Sequence, residues 1–226
     1  MSSFQLKITA CFLMLVDHIG VIFFPEQITW RLIGRLAFPL FAWAIANGSL
    51  HTRSAYRYLG RLFFFGIIIQ IPYTLYFNSW YLNIFFTLCL GLLVIVVFSR
   101  LEDKSFGYFT VFLLACLGET LNVDYGLYGV LTIFFFYLYF DDVPRLLLAQ
   151  GVLNLGRILL PLLATAFGEY TLSEMDFIQP AAFLALGFIF MYNGTKGRNY
   201  KYFFYIFYPA HLVILYGFKL ILEKIL

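Results

Sequence analysis

Charge is scarce in this chain: only 12% of its 226 residues are Asp, Glu, Lys or Arg. The net charge of +3 comes from scattered loop residues rather than a basic block, which leaves nucleic-acid binding without support. Cysteine is scarce too. Cys11, Cys89 and Cys116 are odd in number, lie inside apolar runs and fit neither a C-x-x-C pair nor a metal-ligand spacing, so they read as reduced packing residues. Alternating strand patterns are missing, which excludes a closed β-barrel. No internal repeat, linker or appended module is visible, because the apolar runs are joined by loops of about ten residues or fewer. No small-residue cleavage site follows the first apolar run, and that run carries Asp17 and His18, so it is expected to be retained rather than removed as a signal peptide.

Apolar and aromatic residues fill the remainder: 62% of the chain is hydrophobic and 22% aromatic, with 29 Phe and 17 Tyr. This composition predicts an all-α, polytopic integral membrane bundle, a single membrane domain over residues 1–226. Runs approaching the length of about 17 to 25 residues that spans a bilayer occur at Leu6 to Phe24, Leu32 to Leu50, Tyr58 to Phe77 and Ile84 to Phe98. Further runs cover Phe106 to Leu121, Tyr128 to Phe140, Val143 to Phe167, Ile178 to Tyr192 and Tyr202 to Ile221. That makes about nine transmembrane helices, within a range of eight to ten, and the short runs include room for a half-membrane helix.

Nine spans put Arg53, Arg57, Arg100, Lys104, Arg145, Lys196, Arg198 and Lys201 in loops on the amino-terminal side. The opposite loops carry Arg31 and the acids Glu26, Asp124, Glu169, Glu174 and Asp176. Lysine and arginine collect on the cytoplasmic side, so the amino terminus is expected in the cytoplasm and the carboxyl terminus outside.

Asp17 and His18 sit in the middle of the first apolar run, and ionisable groups at that depth cost several kcal/mol and mark functional sites. With a rise of about 1.5 Å per residue, His18 falls about 18 Å from the cytoplasmic end of its helix and His211 about 14 Å from that of the last helix. Arg157 reaches comparable depth, and Arg35 lies one turn below Arg31 in the second run. Polar groups avoid lipid and seek one another, so a central site holding Asp17, His18, Arg35, Arg157 and His211 is the economical arrangement. Arg35 is too deep to dismiss, whereas the others and Arg31 have plainer alternatives. Asp17 and His18 suit a buried structural pair, His211 a partner for the carbonyl freed by Pro209, Arg31 an interfacial snorkel and Arg157 a partner of Glu119. Lys7 precedes His18 by eleven positions, which at about 100° each returns it to within about 20° of the same helix face. A lysine at the inner mouth below a central histidine suits an anion entering from the cytoplasm. No metal site is expected, because two histidines and one aspartate match no zinc spacing. The Phe63-Phe64-Phe65 and Phe134-Phe135-Phe136 runs read as lipid-facing or packing surface.

The segments Leu15-Val16-Asp17-His18-Ile19-Gly20, Arg31-Leu32-Ile33-Gly34-Arg35-Leu36-Ala37-Phe38-Pro39-Leu40-Phe41 and His51-Thr52-Arg53 resemble the TraX family, conjugative pilin acetylases and their bacterial relatives. The likeness continues through Gln70-Ile71-Pro72, Asn83-Ile84-Phe85-Phe86-Thr87-Leu88, Asp124-Tyr125-Gly126-Leu127-Tyr128-Gly129-Val130, Tyr192-Asn193-Gly194 and Tyr208-Pro209-Ala210-His211-Leu212. TraX proteins are similar to a larger superfamily of integral membrane acyltransferases with a basic residue, ten intervening positions and a histidine in the first helix. Lys7 and His18 match that spacing.

The resemblance implies a multi-pass bacterial inner-membrane acetyltransferase that moves an acetyl group from cytoplasmic acetyl-CoA to an outer acceptor, a pilin-like protein or a glycan. On that reading His18 is the general base, with Asp17 as its orienter or as partner of Arg35, and His211 shares the base role or binds substrate. Arg35, Arg31 or Arg157 stabilises the oxyanion. Arg53, Arg57 and Arg61, four apart and so on one helical stripe, grip the CoA phosphates or merely enforce topology. Two readings from other classes stand beside it: a proton-coupled transporter, which the missing repeat disfavours, and a non-catalytic assembly factor for pili or other surface fibres.

Overall fold

The computed structural model describes residues 1–77, 80–172, 177–198 and 200–225, without the side chains of Tyr76, Lys201 and Ile225. Glu174 and Asp176, counted above among the outer-loop acids, and the Lys201 side chain therefore lie outside the described residues. The fold is helical: α1 (Ser3–Phe23), α2 (Ile28–Gly34), α3 (Ala37–His51), α4 (Ala55–Phe77), α5 (Ile84–Arg100) and α6 (Lys104–Thr120) come first. After them come α7 (Gly126–Leu138), α8 (Val143–Ala166), a 3-10 helix (Gln179–Leu184) that runs into α9 (Ala185–Phe190), and α10 (Lys201–Ile225). Among the described residues the one β feature is an isolated bridge between Leu82 and Val123. Five stretches are long and apolar enough to cross a membrane: Ser3–Phe23, Ile28–His51, Ala55–Leu75, Val143–Ala166 and Tyr202–Lys224. This is a membrane protein of helices.

Two expected spans are not single helices. The run at Leu32 to Leu50 is broken at Arg35 and Leu36, between α2 and α3. An unbroken helix would need residue 39 to donate its N–H to the Arg35 carbonyl, but Pro39 has no N–H and its ring crowds that carbonyl. The run at Ile178 to Tyr192 is six residues of 3-10 helix followed by six of α-helix. Pro180 sits in its first turn, where the missing N–H costs nothing. The short helix α7, 13 residues long, reaches about 20 Å, less than the ~30 Å of hydrocarbon.

The chain forms two compact units. The first comprises residues 1–41, 144–207 and 213–226, the second 42–143 and 208–212. In the first, α1 and α2 form a close hairpin. A Cβ on Gly20 would collide with Trp30, and one on Gly34 would collide with the Asp17 carboxylate, so glycine permits the approach at both points. Trp30 closes the turn by stacking on Phe24 at 5.2 Å and donating its indole N–H to Gln27 at 2.9 Å. Ser2 and Gln5 cap α1 reciprocally. The amides of Ser3 and Phe4 donate to the carbonyls of Thr195 and Lys196 at 2.9 and 3.1 Å, which fixes the 193–197 loop at the start of α1.

In the second unit α5 packs against α4, α6 and α7. Its core joins Leu90, Val94 and Phe98 to Val111, Ala115, Val130 and Phe134. Gly91 lets Ile133 of α7 reach the α5 backbone. Asn83, fully buried, caps α5 and donates through Nδ2 to the carbonyl of Gly66 and to Gln70 Oε1, both at 2.8 Å. The two phenylalanine runs separate. Phe63 and Phe64 are exposed along α4, whereas Phe134 and Phe136 are buried.

Candidate functional site

Four residues of the first unit converge where α1 meets α2. Asp17 Oδ2 accepts from Arg31 Nη1 at 2.7 Å, and Asp17 Oδ1 lies 3.9 Å from Arg35 Nη2. Arg35 Nη1 donates to Gln179 Oε1 at 3.3 Å. The geometry follows from the local sequence. Gly34 lets the end of α2 lie on Asp17, and the break enforced by Pro39 leaves Arg35 capping α2 rather than continuing a helix. Exposure of 15%, 19% and 13% for the Asp17, Arg31 and Arg35 side chains makes this a desolvated cluster. Arg31, given above as an interfacial snorkel or an oxyanion stabiliser, is thus the nearest partner of Asp17.

Among the described residues, two buried polar atoms of this cluster make no hydrogen bond, Asp17 Oδ1 and Gln179 Nε2. Buried polar atoms are nearly always satisfied, and the Gln179 amide nitrogen is an exception. His18, the residue after Asp17, is buried at 8% exposure.

Lys7 lies on α1 below this cluster, its ammonium 5.7 Å from the Phe204 ring centroid and within electrostatic reach of Lys196. The strapping of the 193–197 loop to the first turn of α1 brings the two lysines together. Arg157 is exposed on α8 of the same unit, downstream of the buried amides Gln150 and Asn154. His211 belongs to the second unit, buried at 5% exposure with the Tyr208 ring edge-on at 5.5 Å.

Arg53, Arg57 and Arg61 do not share a helical stripe. Ser54 caps α4, accepting from the Arg57 amide at 3.4 Å, so Arg53 lies in the bend before the helix and only Arg57 and Arg61 lie on it. Arg57 is exposed, and the Arg61 guanidinium sits over the Tyr58 ring at 5.5 Å. Among the described residues there is no group of His, Cys, Asp or Glu that could hold a metal ion. Sequence reasoning missed Gln179, Gln150 and Asn154. Their signal was an amide inside an apolar run, weaker than the charges that drew attention.

The family model described as TraX protein matches residues 2–219. The chain is 30% identical to the probable fimbrial assembly protein FimC, serogroup H1, of Dichelobacter nodosus, across 98% of this chain and 97% of that protein. It is 36% identical to protein TraX of Escherichia coli across 56% of this chain and 51% of that protein. No solved structure matches.

Proposed function

The chain belongs to the TraX family, and from that membership we propose that it is an integral membrane acetyltransferase. It takes acetyl groups from acetyl-CoA on the cytoplasmic side, where its own amino terminus lies, and passes them to an amine or hydroxyl acceptor reached from the outer side of the bacterial inner membrane. The acceptor class we favour is the amino terminus of a pilin-like protein. The observation that carries the reading is the desolvated cluster of Asp17, Arg31, Arg35 and Gln179, with the buried His18 next to Asp17 in sequence.

The residues divide the work. His18 takes the proton from the acceptor as its nitrogen or oxygen attacks the thioester carbonyl carbon. The two guanidiniums stabilise the oxyanion that forms, and desolvation strengthens that attraction. Asp17 holds both arginines in place, which makes it their anchor rather than the orienter of His18. Collapse breaks the C–S bond, restores the carbonyl, and releases CoA, whose thiolate takes up the proton. Lys7 and Lys196 offer two ammonium groups to CoA phosphates at the start of α1. Arg53, Arg57 and Arg61 belong to the second unit.

A second reading, a non-catalytic assembly factor, draws on the printed name of the Dichelobacter nodosus relative. The two separate on purified protein in nanodiscs supplied with labelled acetyl-CoA and a panel of amines, hydroxyl compounds and pilin peptides. Acceptor-dependent CoA release that disappears in His18→Ala supports the enzyme. Folded wild-type protein that neither binds nor turns over acetyl-CoA overturns it in favour of assembly.

A further inference from the structure

Among the described residues, Gln179 joins the arginine cluster through its side-chain oxygen alone. It is 5% exposed, at the start of the 3-10 helix, with Pro180 next to it fixing the backbone. Its Oε1 accepts from Arg35. That orientation is dictated by chemistry: a guanidinium has no acceptor, so the amide oxygen must face it and the NH2 group must point elsewhere. Among the described residues, Nε2 has no hydrogen-bond partner. A structural prop for Arg35 would need only the oxygen, and burying a donor without a match works against stability.

We infer that Gln179 donates a hydrogen bond through Nε2 to a carbonyl oxygen of the bound substrate. Under the acetyl-transfer reading, on which this inference rests, that oxygen belongs to the acetyl thioester. Arg35 is hydrogen-bonded to the oxygen of the same amide, so Gln179 and Arg35 place a neutral and a charged donor side by side. Attack by the acceptor makes the carbonyl carbon tetrahedral and moves its π electrons onto that oxygen, where the two donors meet the new charge. Loss of CoA thiolate returns the electrons to the C=O bond, and the proton taken by His18 passes to the sulfur.

Two substitutions separate this role from support of Arg35. Gln179→Glu keeps an acceptor for the guanidinium and removes the donor; Gln179→Leu removes both. Acetyl-CoA turnover is measured in nanodiscs for wild type and both variants, with melting midpoints taken in parallel. The expected result is a kcat reduced ~100-fold in both variants, a KM for acetyl-CoA within about threefold of wild type, and a midpoint for Gln179→Glu no lower than wild type. Turnover by Gln179→Glu within about threefold of wild type overturns the inference while leaving acetyl transfer standing. Losses of turnover that follow losses in midpoint overturn it as well. Wild-type protein without turnover overturns acetyl transfer, and this assignment with it.

Discussion

Asp17 on α1 and Arg31 on α2 meet at 2.7 Å across a hairpin that only glycine at positions 20 and 34 allows to close. The second oxygen of the same carboxylate faces Arg35 at 3.9 Å. One carboxylate therefore organises two cations. Removal of the anion leaves two guanidiniums desolvated against each other.

Asp17→Asn is expected to lose about 2–4 kcal/mol of stability, below the ~3–5 kcal/mol for breaking a fully buried pair because these side chains keep some exposure. Reversible denaturation in mixed micelles measures it. The double variant Asp17→Asn, Arg31→Gln should recover at least about 1 kcal/mol over the sum of the single losses. Strict additivity would show that the pair is not coupled.

Gly34→Ala forces a methyl group into the Asp17 carboxylate, which cannot withdraw without leaving Arg31. A loss of about 1–3 kcal/mol, as for overpacking, is expected, together with a sharp fall in activity. Gly60→Ala on α4 is the control. Nothing lies near its added Cβ, and alanine should stabilise the helix by about 0.5–1 kcal/mol. Melting midpoints of the two variants should move in opposite directions.

Pro39→Ala restores the N–H that lets a helix run through Arg35. The expected outcome is equal or greater helix content by circular dichroism, with acetyl-CoA turnover lowered at least ~10-fold because Arg35 leaves its place between Asp17 and Gln179. Unchanged turnover would show that the break does not position Arg35.

The spans were legible because a long apolar run has one stable form in lipid, and all nine expected runs fall on helical segments. The break at Arg35 was written in Pro39 but hidden by an unbroken hydrophobic pattern on both sides. Asp17 and Arg35 stood out as ions too costly to bury without cause. Their partnership with Arg31 was not legible, because the register of α1 against α2 is set by Gly20 under Trp30 and Gly34 under Asp17, a close contact with no sequence period. Gln179 escaped because an uncharged amide carries a weaker signal than an ion. The two phenylalanine triplets have one composition and opposite surroundings, so only packing distinguishes them.

Topology gives another test. Arg53, Arg57, Arg100, Lys104 and Arg145 all fall at or beside helix ends, and the positive-inside rule assigns them to the cytoplasm. Alkaline phosphatase fused at the carboxyl terminus is expected to be active, and fused after Arg100 inactive. The reverse pattern would invert the membrane orientation and put the entry at Lys7 on the outer side.

The most direct measurement uses proteoliposomes with labelled acetyl-CoA sealed on the side of Lys7 and a pilin-like acceptor on the other. The account predicts labelled acceptor outside the vesicle, formed by wild type and absent with folded His18→Ala. Label that never crosses, or that crosses equally well without His18, contradicts it.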